Sequence, residues 1–163
     1  MTPNDTKYGL YLQILKEELI PAMGCTEPIA VAYAAAYARD LLGAMPERVV
    51  VEASGSIIKN VKSVIVPNTN HLKGIPAAAL AGVVAGKASK LLEVISEVSD
   101  EDKDRIREAL DTIPVTVEHV DSGHVFEVGI RLYRGDEKVY VQILDYHTNI
   151  CRAEKNGELL AGG

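Results

Sequence analysis

The residues of this sequence best suited to chemistry lie near its start, in the string Met23–Pro28. Cys25 stands directly before Thr26, Glu27 and Pro28, and a hydroxyl, a carboxylate and a proline in that order are typical of a helix start. A thiol at that position faces unpaired N–H groups, which favour the thiolate that binds metal or attacks carbon. Buried cysteines between apolar helices are usually inert, so a reactive and a structural Cys25 both stay open on spacing alone.

A second polar group precedes another expected helix, which begins near Ile75. Its members combine side-chain amides, a hydroxyl, an imidazole and a cation: Asn68, Thr69, Asn70, His71 and Lys73. Together with the N–H groups of a helix start, such residues suit a small carboxylate. A polar turn that only caps the helix fits the same pattern.

A third candidate is His147, which lies among polar residues at Asp145–Asn149. Histidine can serve as a general base near neutral pH, although a histidine between two strands is commonly satisfied by local contacts. His119 and His124 lie in or beside expected strands without acidic or cysteine-rich surroundings, and we interpret them as structural or exposed. The sequence contains no phosphate loop, nucleophile elbow, H-E-x-x-H or C-x-x-C motif.

Apolar residues at helical spacing, with turn residues and caps between them, predict the elements that must position these groups. The predicted helices are Tyr8–Ile20, Ile29–Leu42, which is apolar nearly all round, Ile75–Gly86 with a continuation over Ala88–Val98, and a charged helix capped by Ser99 and ending at Leu110. Thr26 is the predicted N-cap of the second helix, and Asp102 completes an imperfect capping box with Ser99.

Alternation with a period of two predicts strands in two other regions. They are Val49–Ala53, Ile57–Val66, Val115–Val120, Phe126–Leu132, Val139–Leu144 and Thr148–Ala153. The prediction is therefore one α+β domain over residues 1–163, with Ala-rich buried helices packed on antiparallel strands. It is helical over 1–45, a β hairpin over 48–66, helical over 75–110 and a β meander over 115–160.

The composition excludes several classes of function. The chain has 163 residues, with 17 Lys and Arg against 23 Asp and Glu and a net charge of −6. This acidic balance argues against nucleic-acid binding, and no apolar run reaches the roughly 18 residues that a membrane span needs. Two cysteines and no signal-peptide pattern indicate a cytoplasmic protein.

Taken together, these strings resemble the iron–sulfur L-cysteine desulfidase family, which is related to the iron–sulfur L-serine dehydratases. The most specific element is the run from Ile20 to Ala30, IPAMGCTEPIA, followed by the Ala-rich helix. Four further strings recur in the same order: Lys59-Asn60, Val66–Asn70, Lys73–Leu80 and His147–Ile150. The resemblance thus covers essentially the whole chain, with one departure at Asn68–Asn70, where a Gly-rich version is expected.

The resemblance implies a PLP-independent lyase that eliminates the β-substituent of a small L-amino acid. L-Cysteine would give pyruvate, ammonia and sulfide, and L-serine would give pyruvate and ammonia. A [4Fe–4S] cluster in the complete enzyme would polarise the leaving group, with Cys25 as a cluster ligand and His147 as the catalytic base. The substrate-binding residues implied are Thr26, Glu27, Asn60, Asn68, Thr69, Asn70, Lys73 and Asn149.

The other cluster cysteines of that family lie in a later helical region that this sequence lacks. We therefore expect the chain to be an N-terminal portion that is incomplete and inactive alone, without a cluster of its own. Its expected partners are a small amino-acid substrate and a C-terminal cluster-binding region or subunit, and it could form a homo-oligomer. Two alternatives stay open: a non-catalytic amino-acid-binding or regulatory module, and a thiol enzyme that uses Cys25 with His147.

Overall fold

The computed structural model describes residues 26–62, 64–69, 71–124, 126–145 and 150–162, so the predicted helix Tyr8–Ile20 lies outside it. Its helices are α1 (Thr26–Leu42), α2 (Gly55–Val61), α3 (Gly74–Ala85) and α4 (Asp100–Thr112), with a 3-10 helix at Ala88–Glu93. Its strands are β1 (Arg48–Ala53), β2 (Val115–His119), β3 (Glu127–Arg134), β4 (Glu137–Leu144), β5 (Ile150–Lys155) and β6 (Glu158–Gly162). The predicted α+β class is confirmed.

All six strands form one sheet in the order β2-β1-β3-β4-β5-β6. The pair β1/β2 is parallel, and the other neighbours are antiparallel. The prediction that residues 115–160 form a meander is thus wrong for β2. This strand pairs with β1, on the side of β1 opposite β3, and not with β3. A parallel pair needs a long crossover connection, and the helices between β1 and β2 provide it.

One face of the sheet is apolar and carries the helices. The alternation predicted for β3 is confirmed, because Val128, Ile130 and Leu132 are fully buried. The register places them beside further buried residues of β1 and β4, namely Ala53, Val51, Val49, Ile143, Val141 and Val139. Helix α1 packs directly on β3 and β4, α3 packs on α1, and α4 packs on α3.

Helices α1 and α3 run parallel at very short range. A Cβ added to Gly82 would lie 2.1 Å from the Ala32 carbonyl oxygen, and one added to Gly86 would lie 2.8 Å from the Ala36 Cβ. Only glycine permits the first of these backbone contacts. Arg39 caps the C-terminal end of α3. Its guanidinium donates hydrogen bonds to the carbonyls of Gly82, Val83 and Gly86.

The predicted hairpin over 48–66 is wrong, because residues 55–61 form the helix α2 and not a turn followed by a strand. Ile57 and Val61 are fully buried, whereas Lys59 is exposed. In a strand these three side chains would share one face, but in a helix the i and i+4 residues share a face that the residue between them does not. The β-branched composition favoured a strand locally, and packing overrode it.

The predicted helix over Ala88–Val98 is also wrong, since only the 3-10 helix forms there. Leu91 interrupts it with a φ of 52°, and the Lys87 N–H donates to the Val94 carbonyl across the turn. The capping box of α4 is confirmed, because the Ser99 side chain accepts from Asp102 N and the Asp102 side chain accepts from Ser99 N. α1 is described from Thr26 itself, so Thr26 lies within the helix and not at its cap.

Candidate functional site

Several of the predicted site residues lie around one edge of the sheet, where β1, β2 and β4 end. We call it the carboxyl edge. Ala53, the last residue of β1, pairs with His119 at the end of β2 and with Val128 near the start of β3. Glu127 pairs with Leu144, and Ile143 pairs with Ile150, which adds the start of β5 to this edge.

The starts of α1 and α3 also lie at the carboxyl edge. Residues 43–47 connect the end of α1 to the start of β1, so the C-terminus of α1 lies at the opposite edge. Because α3 is parallel to α1, with Gly82 level with Ala32, Gly74 lies level with the beginning of α1. Two helix N-termini, each carrying partial positive charge, therefore lie side by side.

Glu27 and Asn60, both predicted from the sequence, are in contact. The Asn60 Nδ2 donates to the Glu27 Oε2 at 3.0 Å and so joins the last turn of α2 to the first turn of α1. Asn60 is exposed and Glu27 is half-buried. This hydrogen bond fixes the orientation of the Glu27 carboxylate at the carboxyl edge.

The polar loop before α3 is held together by two of the predicted residues. Thr69 is only 1% exposed, and its hydroxyl donates to the Val66 carbonyl at 2.7 Å and accepts from the Leu72 N–H at 3.2 Å. The Asn68 Nδ2 donates to the Ile95 carbonyl at 2.9 Å. The side chains of Asn68 and Thr69 thus form hydrogen bonds with main-chain groups. A role for them in substrate binding stays a prediction.

Lys73 closes this loop through an antiparallel bridge with Ile65, and it is exposed at the position before α3. Gly74 follows with a φ of 90°, a conformation that glycine adopts without strain. An exposed lysine therefore occupies the position before the first turn of α3. The prediction that this segment binds an anion, with Lys73 as one of its residues, stays a prediction.

Four predicted residues lie outside the described residues: Cys25, Asn70, His147 and Asn149. The described residues that flank them belong to the carboxyl edge or to the loop just discussed. Thr26 follows Cys25, and Asp145 and Ile150 flank residues 146–149. The predicted metal, base and binding roles of these four residues stay predictions.

A histidine–aspartate pair at the carboxyl edge was missed from the sequence. The Nδ1 of His124 lies 2.9 Å from the Oδ1 of Asp145, and their side chains are 39% and 52% exposed. The pairing follows from the β3/β4 hairpin, since the two residues flank it on either side of the turn at Gly135-Asp136. That symmetry about the turn was the only sequence signal for it.

A buried carboxylate lies next to this pair. Glu127 is 5% exposed and accepts hydrogen bonds from the Ser122 hydroxyl and, at 3.0 Å, from the Gln142 amide. Its backbone N–H donates to the Ser54 hydroxyl at 3.2 Å, which ties β3 to the end of β1. These neutral donors satisfy the Glu127 carboxylate, so we assign it a structural role at the edge.

On the sheet face away from the helices, charged and aromatic residues form a separate network. The Arg131 Nε donates to the Glu52 carboxylate at 3.0 Å, and the Arg131 guanidinium stacks 4.2 Å above the Tyr140 ring. Burial, reinforced by the charge of Glu52, raises the pKa of Tyr140 to about 12. Gly129 keeps this network compact, because a Cβ there would lie 3.0 Å from the Glu52 Oε1.

The residues of this chain do not fit a complete iron–sulfur cluster. A cubane cluster is normally held by four cysteine thiolates, and the sequence has only Cys25 and Cys151. Cys151 is half-buried on β5. In the part of the chain that the structure describes, no group of three or more His, Cys, Asp or Glu side chains is arranged to hold a metal ion.

Comparison with known proteins adds a set of bacterial relatives. The chain is similar to UPF0597 proteins. It is 52% identical over 162 residues to UPF0597 protein DSY1109 of Desulfitobacterium hafniense, a match over 99% of this chain and 38% of that protein. It is 44% identical over 150 residues to a UPF0597 protein of Lachnoclostridium phytofermentans, over 92% of this chain and 36% of that protein.

A third relative, UPF0597 protein FN1147 of Fusobacterium nucleatum, is 43% identical over 162 residues, which cover 96% of this chain and 36% of that protein. The chain therefore spans less than two fifths of the length of these relatives. No family model and no solved structure matches the chain. Among the helices within the described ranges, none is both long and apolar enough to cross a membrane.

Proposed function

We propose that this chain is the N-terminal part of a cytoplasmic, PLP-independent iron–sulfur lyase that eliminates the β-substituent of L-cysteine or L-serine. The observation that best supports the proposal is the convergence at the carboxyl edge. The starts of α1 and α3, the Glu27–Asn60 contact and Lys73 come from three separate strings of the sequence, namely Ile20–Ala30, Lys59-Asn60 and Lys73–Leu80. These are the same strings that carry the resemblance to the cysteine desulfidase family.

The charges at this edge suit a zwitterionic amino acid. Lys73 and the positive end of α3 would bind the α-carboxylate, because both are cationic and adjacent. Glu27, held by Asn60 at 3.0 Å, would bind the α-ammonium group. The pair of opposite charges would then orient the amino acid with its Cα–H and β-substituent directed away from both anchors.

The cluster would need cysteines from the remainder of a longer protein. The UPF0597 relatives are long enough to contain such a region, since 162 aligned residues make up only 38% of DSY1109. In this proposal Cys25 provides one ligand and the chain provides the substrate-binding edge. The assignment of the base to His147, which lies outside the described residues, stays a prediction.

The test is turnover by the complete protein, purified and reconstituted with iron and sulfide under anaerobic conditions. We expect pyruvate release from L-cysteine or L-serine that is insensitive to carbonyl reagents that trap PLP. Lys73→Gln should raise KM by about 10- to 100-fold, with a smaller effect on kcat, because a charge-assisted contact to the carboxylate is lost.

The matched control is Lys138→Gln, which removes the same charge from an exposed lysine near the start of β4, at the opposite edge of the sheet. Its KM should equal that of the wild type. Absence of pyruvate from both amino acids would overturn the proposed reaction. Equal KM values for the Lys73 and Lys138 variants would overturn the placement of the carboxylate.

A further inference from the structure

The His124–Asp145 pair has the geometry of a proton-transfer dyad. A carboxylate accepts hydrogen bonds, so the neutral tautomer of His124 that makes the 2.9 Å contact a hydrogen bond is the one with its proton on Nδ1. The lone pair is then on Nε2. The same carboxylate stabilises the imidazolium that forms when Nε2 takes up a proton, as it does in catalytic triads.

The backbone holds Asp145 in a defined place. Its N–H donates to the Phe126 carbonyl at 2.9 Å, which extends the β3/β4 pairing by one step beyond the strands. Its φ is 69°, in the left-handed region that non-glycine residues rarely adopt and that is concentrated at functional sites. Asp145 therefore lies at the hydrogen-bonded end of the β3/β4 hairpin, and both side chains of the dyad are partly exposed to solvent.

The dyad lies at the same edge of the sheet as the proposed amino-acid anchors. α1 packs across β3 and β4. Its N-terminus, with Glu27, lies toward the carboxyl edge, where β3 begins and β4 ends. His124 precedes β3 and Asp145 follows β4 at that same end. His119 is also exposed at this edge, but among the described residues no carboxylate pairs with it.

We propose that His124 is the base that removes the α-proton of the amino acid and that Asp145 is its positioning residue. This inference rests on the proposed lyase function. The Cα–H bond breaks as the Nε2–H bond forms, and the electron pair of the Cα–H bond becomes the Cα–Cβ double bond. The β-substituent leaves as thiolate or hydroxide with the electrons of its bond to Cβ, and the imidazolium proton neutralises it.

The product of that step is 2-aminoacrylate. It tautomerises to the imine and takes up one water molecule, which yields pyruvate and ammonia. No external oxidant or reductant is needed, since the elimination and the hydrolysis leave the overall oxidation state unchanged. A base is the one group that this sequence of steps requires from the protein at the α-carbon.

The first measurement uses the 163-residue chain and does not depend on any activity. Nitrogen-15 NMR of the imidazole of His124 should show a protonated Nδ1 and an unprotonated Nε2 when the ring is neutral. Asp145→Asn should remove that preference, because an amide does not require a donor at Nδ1. A neutral His124 protonated at Nε2 in the wild type would overturn the dyad.

The second measurement uses the complete reconstituted protein and follows both pyruvate release and exchange of the α-hydrogen of L-alanine with deuterium oxide. His124→Gln should lower kcat and the exchange rate by about 10²- to 10⁴-fold, with a much smaller change in KM. Asp145→Asn should lower both rates by about 10- to 100-fold. His119→Gln is the matched control and should leave both rates unchanged.

The outcomes separate this inference from the proposed function. Wild-type protein that releases pyruvate while His124→Gln retains full kcat and exchange would overturn the role of His124 and leave the lyase intact. A loss confined to His147→Gln would do the same and assign the base to His147. Wild-type protein that neither releases pyruvate nor exchanges the α-hydrogen would overturn the lyase itself, and with it the role of His124.

Discussion

Replacing Gly82 by alanine should destabilise the protein, although alanine is the better helix former. The new Cβ would lie 2.1, 2.8 and 2.9 Å from the carbonyl oxygen, carbonyl carbon and Cα of Ala32. Since non-bonded carbon atoms settle at about 3.5–4.0 Å, the two helices must separate by roughly 1 Å. Overpacking of this kind costs about 1–3 kcal/mol and more when backbone must move, against a propensity gain of about 1 kcal/mol. We expect a net loss of about 2 kcal/mol.

The assay is urea unfolding followed by circular dichroism, with the midpoint falling at unchanged m. Ala85→Gly, at the last residue of the same helix, changes helix propensity without a clash and should cost less than the about 1 kcal/mol of a helix interior. The double variant Gly82→Ala with Ala32→Gly should not recover stability, because the clash is with the Ala32 backbone. A Gly82→Ala midpoint equal to or above that of the wild type would refute the close parallel packing that brings the starts of α1 and α3 together.

Three further results are expected. Arg39→Ala should lose about 1.5–3 kcal/mol in the same assay, because three carbonyls at the end of α3 lose a charged donor, and an unchanged midpoint would contradict that role. Tyr140 has its pKa raised to about 12 in the folded state, so its contribution to stability is lost as pH rises from about 10 toward 12. Tyr140→Phe should therefore lose less stability than the wild type over that range, and equal losses would count against the assignment. In NMR titrations of the chain with L-serine, the amides of Lys73 and Gly74 should shift first, and shifts confined to the strands after Val115 would contradict binding there.

Much of the fold followed from periodicity because local and tertiary preferences agree. The apolar residues of α1 and the alternating residues Val128, Ile130 and Leu132 are buried as their spacing predicts. The α2 segment could not be assigned in the same way, since Ile57 and Val61 satisfy either a helix or a strand. Only the exposed Lys59 between them argued for the helix. The pairing of β2 with β1 could not be predicted either, because the spacing of strands along the sequence does not show which strands pair or whether a pair is parallel.

The candidate site was predictable in part. The strings that contain Glu27, Asn60 and Lys73 were recognisable, but their meeting at one edge depends on the parallel packing of α1 and α3, which no local pattern encodes. Asn68 and Thr69 have side chains directed to the carbonyls of Ile95 and Val66. An anion site and a self-contained polar loop use the same residue types, so sequence alone could not separate them.

The most direct test of the proposed lyase compares Cys25→Ser with Cys151→Ser in the complete protein. Both changes replace a thiol by a hydroxyl of similar size, but only Cys25 precedes a helix start at the carboxyl edge. We expect Cys25→Ser to lose bound iron and pyruvate release from L-cysteine and L-serine, while Cys151→Ser retains both. Full iron content and full pyruvate release in Cys25→Ser, or no pyruvate from the wild-type protein, would contradict the account.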